Sequence, residues 1–197
     1  MTDPLPAQSG HEELDFLRAM IDNIDSAIMA ILAHRAQVIT YIQQYKVLHH
    51  IAPQRSEQRE QVVEELLQFA APLKLRPAFV KTLLENLCQQ SSVFLQTSQH
   101  QHLPTFFATQ NDLLTDLNRT LKHLDMSFLS LLSERMQLVR QVGVFKKMHH
   151  LPPLAQARWE QVLSSKIALA EKMNINPAAI DQFYHLIHQE ALEIEVG

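Results

Sequence analysis

Glycine is nearly missing from this chain, with three residues in 197, and no stretch sustains the alternation of apolar and polar residues that marks a sheet. The single cysteine, Cys88, excludes an internal disulfide and fits a reducing compartment. No apolar run approaches the roughly 18 residues needed for a membrane-spanning helix. The opening MTDPLPAQSGHEELD is polar and acidic, unlike a signal or transit peptide. A net charge of −4 provides no general attraction to nucleic acid. What remains is ordinary globular composition, in a chain long enough to bury a substantial core. The expectation is a cytoplasmic, all-α protein with neither nucleic-acid nor membrane partners.

The most informative stretch runs from Leu114 to His150, without proline and with one glycine. Leu117, Leu121, Leu124, Phe128, Leu131, Leu132, Leu138 and Val142 recur at three- and four-residue spacing, which predicts a long helix with one apolar stripe. On that stripe sit Arg135 and Lys146, eleven residues apart, so three turns of helix point them the same way. Buried cations without partners are costly, so this face must meet negative charge.

The stretch also occurs twice. At an offset of 100 residues, Leu14, Leu17, Asp25, Leu32, Arg35, Gln37, Lys46 and His49-His50 coincide with Leu114, Leu117, Asp125, Leu132, Arg135, Gln137, Lys146 and His149-His150. The match continues through Glu60-Gln61-Val62 and Pro77-Ala78 with their counterparts. An all-helical unit of about 85 residues is thus duplicated, the signature of paired domains rather than of a solenoid.

Prolines and caps divide each copy into a long, a short and a medium helix. The first long helix ends before Pro53; Ser56 caps the next, which stops at Pro72; Pro77 opens the third. In the second copy Asn111 or Asp112, Pro152-Pro153 and Asn176-Pro177 play the same parts. The expected organisation is a disordered leader at 1–11, a first repeat at 12–96, a linker at 97–111 and a second repeat at 112–197. A helix of about 55 Å overshoots a globule of this size, whose radius of gyration is about 12 Å. The two long helices are therefore expected to pair, giving one six-helix body.

Arg and Lys eleven apart on a long helix, a proline break, an arginine early in the short helix and a polar residue late in the third together resemble the all-α chorismate mutase family. The resemblance covers nearly the whole chain, twice. It implies two three-helix repeats intertwined as a six-helix pseudo-dimer, the family's dimer fused into one chain. It also implies rearrangement of the dicarboxylate chorismate to prephenate, in aromatic amino-acid biosynthesis, without cofactor or metal. Carried over position by position, Arg135 and Arg158 would hold carboxylates, with Arg18 lent by the first repeat. Lys146 would bridge a carboxylate and the ether oxygen, and Glu195, once protonated, would donate to that oxygen.

The other site looks degenerate. Arg35 and Lys46 persist, but the gapless register sets Gln58 and Leu95 where an arginine and a Gln or Glu are needed, and Asn118 where Arg18 stands in the first copy. A one-residue slip would recruit Arg59, but it would turn Glu64, Glu85 and Gln89 onto the apolar stripe. The second-repeat site also departs from the family, with Ala155, Trp159 and Ala191 where acidic and hydroxyl residues normally meet the ring hydroxyl. That leaves two alternatives open: an isochorismate-pyruvate lyase, whose family shares the fold, and a non-catalytic protein that binds a dicarboxylate or a partner. Adjacent His149 and His150 do not share a helix face, and His185 and His188 lack a third ligand, so no metal site is expected. Cys88 falls on an apolar stripe and is expected in the core. A monomeric pseudo-dimer satisfies the pairing, with further oligomerisation left open.

Overall fold

Helix boundaries follow the prolines and caps. A computed structural model describes residues 6–52, 56–89, 112–152 and 156–196. Among them stand six α-helices: α1 (Pro6–Leu48), α2 (Ser56–Ala70), α3 (Pro77–Gln89), α4 (Leu113–Met148), α5 (Gln156–Lys172) and α6 (Pro177–Val196). Pro6, Pro77 and Pro177 each occupy a first helical position, where the missing N–H costs nothing. The Asn176 side-chain oxygen accepts from the Ala178 N–H at 3.0 Å and caps α6. Helix ends cope without glycine: His50, His150 and Asn174 take left-handed φ of 53°, 53° and 57°. Each closes a Schellman turn, with Ile51, Leu151 and Ile175 N–H donating back to the carbonyls of Lys46, Lys146 and Ala170.

The helices α1 and α4 form the main packed pair. The start of α1 (Leu14, Leu17) packs on the end of α4 (Val142, Phe145), so they run antiparallel. Two buried ion pairs then cross between them, Arg35 to Asp125 and Arg135 to Asp25. The 100-residue offset exchanges these pairs, so a local two-fold relates the repeats. Each short helix lies on the other repeat's long helix, α2 on α4 and α5 on α1. One core therefore serves both repeats, with Ile28, Met29, Leu32, Leu66, Leu83 and Leu84 from the first and Phe128, Leu129, Leu132, Ile180, Phe183 and Ile187 from the second. The fold is the expected all-α pseudo-dimer.

One expectation shifts. The leader at 1–11 was expected to be disordered, yet α1 already includes residues from Pro6 onward, because proline is well placed to open a helix. Residues 1–5 and the linker at 97–111 lie outside the described residues, as does Leu95. No helix among the described residues is long and apolar enough to cross a membrane.

Leu132 is fully buried where the repeats meet, so Leu132→Ala should cost about 2–5 kcal/mol in urea denaturation. Far-UV circular dichroism and Trp159 fluorescence should report one coincident transition. Two separated transitions would mean that the repeats fold independently.

Candidate active site

Helical spacing brings four faces together. The helix α1 contributes Arg18, Ile21 and Asp22, and α4 contributes Arg135, Val139, Val142 and Lys146. Arg158, Trp159 and Val162 come from α5, and His188, Ala191, Leu192 and Glu195 from α6. They line one cleft of about 110 Å³. The five residues expected at the competent site, Arg18, Arg135, Lys146, Arg158 and Glu195, thus meet in one place, from four helices and both repeats.

The lining carries four cations against two carboxylates, a surplus that suits a dianion. Each cation is already oriented by a carboxylate. Arg135, 6% exposed, donates from Nε to Asp25 Oδ1 at 2.8 Å, while its Nη1 is buried without a hydrogen-bond partner among the described residues. Burial works against the Arg135 charge, but Asp25 outweighs it and raises the guanidinium above its ordinary value. Lys146 Nζ meets Glu195 Oε2 at 2.5 Å. Arg158 Nη2 meets Asp22 Oδ2 at 2.6 Å, across the repeats, and the more exposed Arg18 reaches Asp15 at 3.3 Å.

Gly143 explains how Glu195 comes so close. A Cβ there would stand 3.2 Å from the Glu195 Cα, so the absence of a side chain lets the end of α6 press onto α4 one turn before Lys146. The equivalent residue in α1 is Gln43.

The residues expected at the other, degenerate site are arranged differently. Arg35 is buried and donates to Asp125 Oδ1 at 2.6 Å, with Nη1 turned to the Leu87 carbonyl at 3.4 Å. Burial pushes the Asp125 carboxyl up, against the pull of Arg35. Lys46 is half-buried, while Arg59, Gln58 and Asn118 are exposed.

Sequence reasoning missed four residues. Asp25 and Asp125 are the only acid identical in the two long helices, which was the available signal for the arginines' partners. Asp22 lies one turn beyond Arg18 on the same face. His188 lies two turns before Glu195 on α6, and Trp159 stacks flat on it, with centroids 3.9 Å apart and planes 4° apart. Trp159 therefore packs and lines the cleft at once. Ala191 lines it too, whereas Ala155 lies outside the described residues. Cys88, half-buried beside Arg35, holds the place of His188 in the first repeat, and burial pushes its thiol up. Among the described residues no group of three or more His, Cys, Asp or Glu side chains is arranged to hold a metal ion.

The chorismate mutase type II family matches this chain at residues 17–95 and again at residues 117–196. The chain belongs to that family. A curated relative, 4-amino-4-deoxychorismate mutase of Streptomyces pristinaespiralis, is 29% identical over 80 residues, which is 41% of this chain. The aligned part spans 62% of that relative's length. No solved structure matches the chain. Each chorismate mutase type II match takes in one long helix and the two that follow it, so the lined cleft uses residues from both copies of the family unit.

Burial first, then the nearby charges of Arg135, His185 and Lys146, hold His188 below the ordinary histidine value of 6.5. A depressed folded value means that the contribution of His188 to stability is present above that pH and is lost as pH falls through the lowered value. An NMR titration should find the His188 imidazole titrating below its ordinary value, and Arg135→Ala should move it upward. An unshifted His188 would contradict its burial against the site's cations.

Proposed function

We propose that this chain rearranges chorismate to prephenate in the cleft built by repeat two and Arg18, and that the other site is inactive. One observation carries the reading: Arg18, Arg135, Lys146 and Arg158 converge from both repeats on one cleft with surplus positive charge. Chorismate presents two carboxylates, and Arg135 and Arg158 offer planar forks for them, with Arg18 closing from α1. Breaking the C–O bond builds negative charge on the ether oxygen. Lys146 supplies a cation there in a largely desolvated place, an arrangement that acts on the transition state more than on the ground state. Glu195 accepts from Lys146 through Oε2, which leaves Oε1 to carry a proton toward the ether oxygen. Holding the substrate in its reactive conformer supplies the rest, and the reaction requires no nucleophile or base.

The ring end favours one second reading. Trp159 and Ala191 replace the polar partners expected for the ring hydroxyl, which supports an isochorismate-pyruvate lyase acting through the same cations. The amino analogue in the relative's name belongs to the same comparison. Purified protein should be incubated separately with chorismate, isochorismate and 4-amino-4-deoxychorismate. Prephenate from chorismate supports the first reading, pyruvate from isochorismate the second, and no turnover of any of the three would remove both.

Arg135→Ala should lower kcat/KM on chorismate by about a hundredfold or more, the loss of a desolvated charge pair, while Arg35→Ala should keep most of the activity. Equal losses would show that both sites work. Activity should also rise as pH falls, because Glu195 must be protonated to donate, and Glu195→Gln should flatten that profile. A wild-type rate independent of pH would exclude Glu195 from the step.

A further inference from the structure

Charge or packing accounts for most of the cleft lining. Arg18, Arg135, Lys146 and Arg158 are cations, and the carboxylates of Asp22 and Glu195 are held by Arg158 and Lys146 at 2.6 and 2.5 Å. Ile21, Val139, Val142, Val162, Ala191 and Leu192 are hydrocarbon. Trp159 and His188 remain. The Trp159 indole lies flat on one face of the His188 ring, and His185 meets that indole edge-on, with centroids 5.3 Å apart. A stack covers the face of an imidazole and leaves its nitrogens, which lie at the edge. Among the described residues neither nitrogen of His188 makes a hydrogen bond, whereas His185 Nδ1 donates to the Asp181 carbonyl at 2.8 Å. One turn further along α6 stands Ala191, whose small side chain leaves room beside the ring.

Held below its ordinary value by burial, and then by Arg135, His185 and Lys146, the His188 imidazole is neutral at pH 7. A neutral imidazole offers one donor and one acceptor, which together match an alcohol. The cations that oppose an imidazolium there would equally oppose a ligand ammonium in contact with it.

We propose that His188 is the specificity-determining residue of this cleft: its ring edge meets the ring hydroxyl of the substrate, and the cleft rejects an ammonium group in that hydroxyl's place. This rests on the proposed function, which assigns the two carboxylates and the ether oxygen to Arg18, Arg135, Lys146, Arg158 and Glu195. Chorismate then has one polar group left, and the lining has one side chain left that both donates and accepts. An amino group on a saturated ring carbon is protonated near neutral pH and needs a carboxylate when it is desolvated. Both carboxylates of the lining are already committed to cations.

The test is kcat/KM on chorismate and on 4-amino-4-deoxychorismate. The wild type should favour chorismate by about tenfold or more. His188→Leu should lose about tenfold on chorismate and little on the amino analogue, because only the hydroxyl loses its partner. His188→Asn, which keeps a donor and an acceptor, should recover most of the chorismate rate. His188→Asp supplies a carboxylate and should raise the rate on the amino analogue about tenfold. A wild type that prefers the amino analogue would overturn the proposal. So would an equal loss on both substrates in His188→Leu, which would make His188 merely structural. Should His188→Leu fail to fold, the Asn and Asp variants decide by the same ratio. If the wild type turns over neither substrate, the proposed function falls, and calorimetric binding of chorismate to the wild type and to His188→Leu still decides this inference. Binding about tenfold weaker in the variant upholds it, and unchanged binding or none overturns it.

Discussion

An arginine buried between two antiparallel helices requires a carboxylate from its neighbour, and in this protein that requirement is met twice, by Arg35 with Asp125 and Arg135 with Asp25. The pairs are worth little as net stability, because desolvating four charges offsets most of their attraction. Their importance lies in what happens when one is mismatched: a buried charge left alone costs about 3–5 kcal/mol. A slip of α1 along α4 would break both pairs at once, so they set the register of the two long helices. Everything else is hung on that register, including the crossing of each short helix onto the opposite repeat and the meeting of Arg18 with Arg135 in one cleft.

Onto this symmetric frame the chain has placed unsymmetric substitutions, and they cluster at the cleft. Asp22 faces Arg158, whereas its counterpart Lys122 pairs with Glu65. Gly143 admits Glu195, whereas Gln43 stands at the matching place. Tyr184, buried beside Asp25 with its hydroxyl on the Asp25 carbonyl, replaces Leu84. The end of α6 is secured from outside as well, by Arg76 of the first repeat holding Glu190 and Glu193. The first repeat thus serves the second-repeat cleft as scaffold and as donor of side chains.

Much of this was legible without coordinates. Proline positions and the three-four spacing gave α2, α5, α6 and the start of α3 nearly to the residue, since both rest on local sterics and local burial. The start of α1 was not legible, because a polar, acidic leader with an early proline reads equally as coil. The cations were legible because helix geometry ties Arg135 to Lys146 over three turns. Their carboxylates were harder: Asp25 and Asp22 lie more than a hundred residues from the arginines they hold, and no spacing rule spans that gap.

The sequence by itself determined the helices, the duplication, the apolar faces that must pair, and the direction in which each charged side chain points about its own helix axis. Those follow from periodicity, which is local. The tertiary structure alone decided which carboxylate each cation meets, that Trp159 lies flat on His188, and that Lys166 stands behind Asp25 where Leu66 stands in the other copy. Such choices depend on separations of a few ångströms between helices far apart in the chain, which no local periodicity fixes.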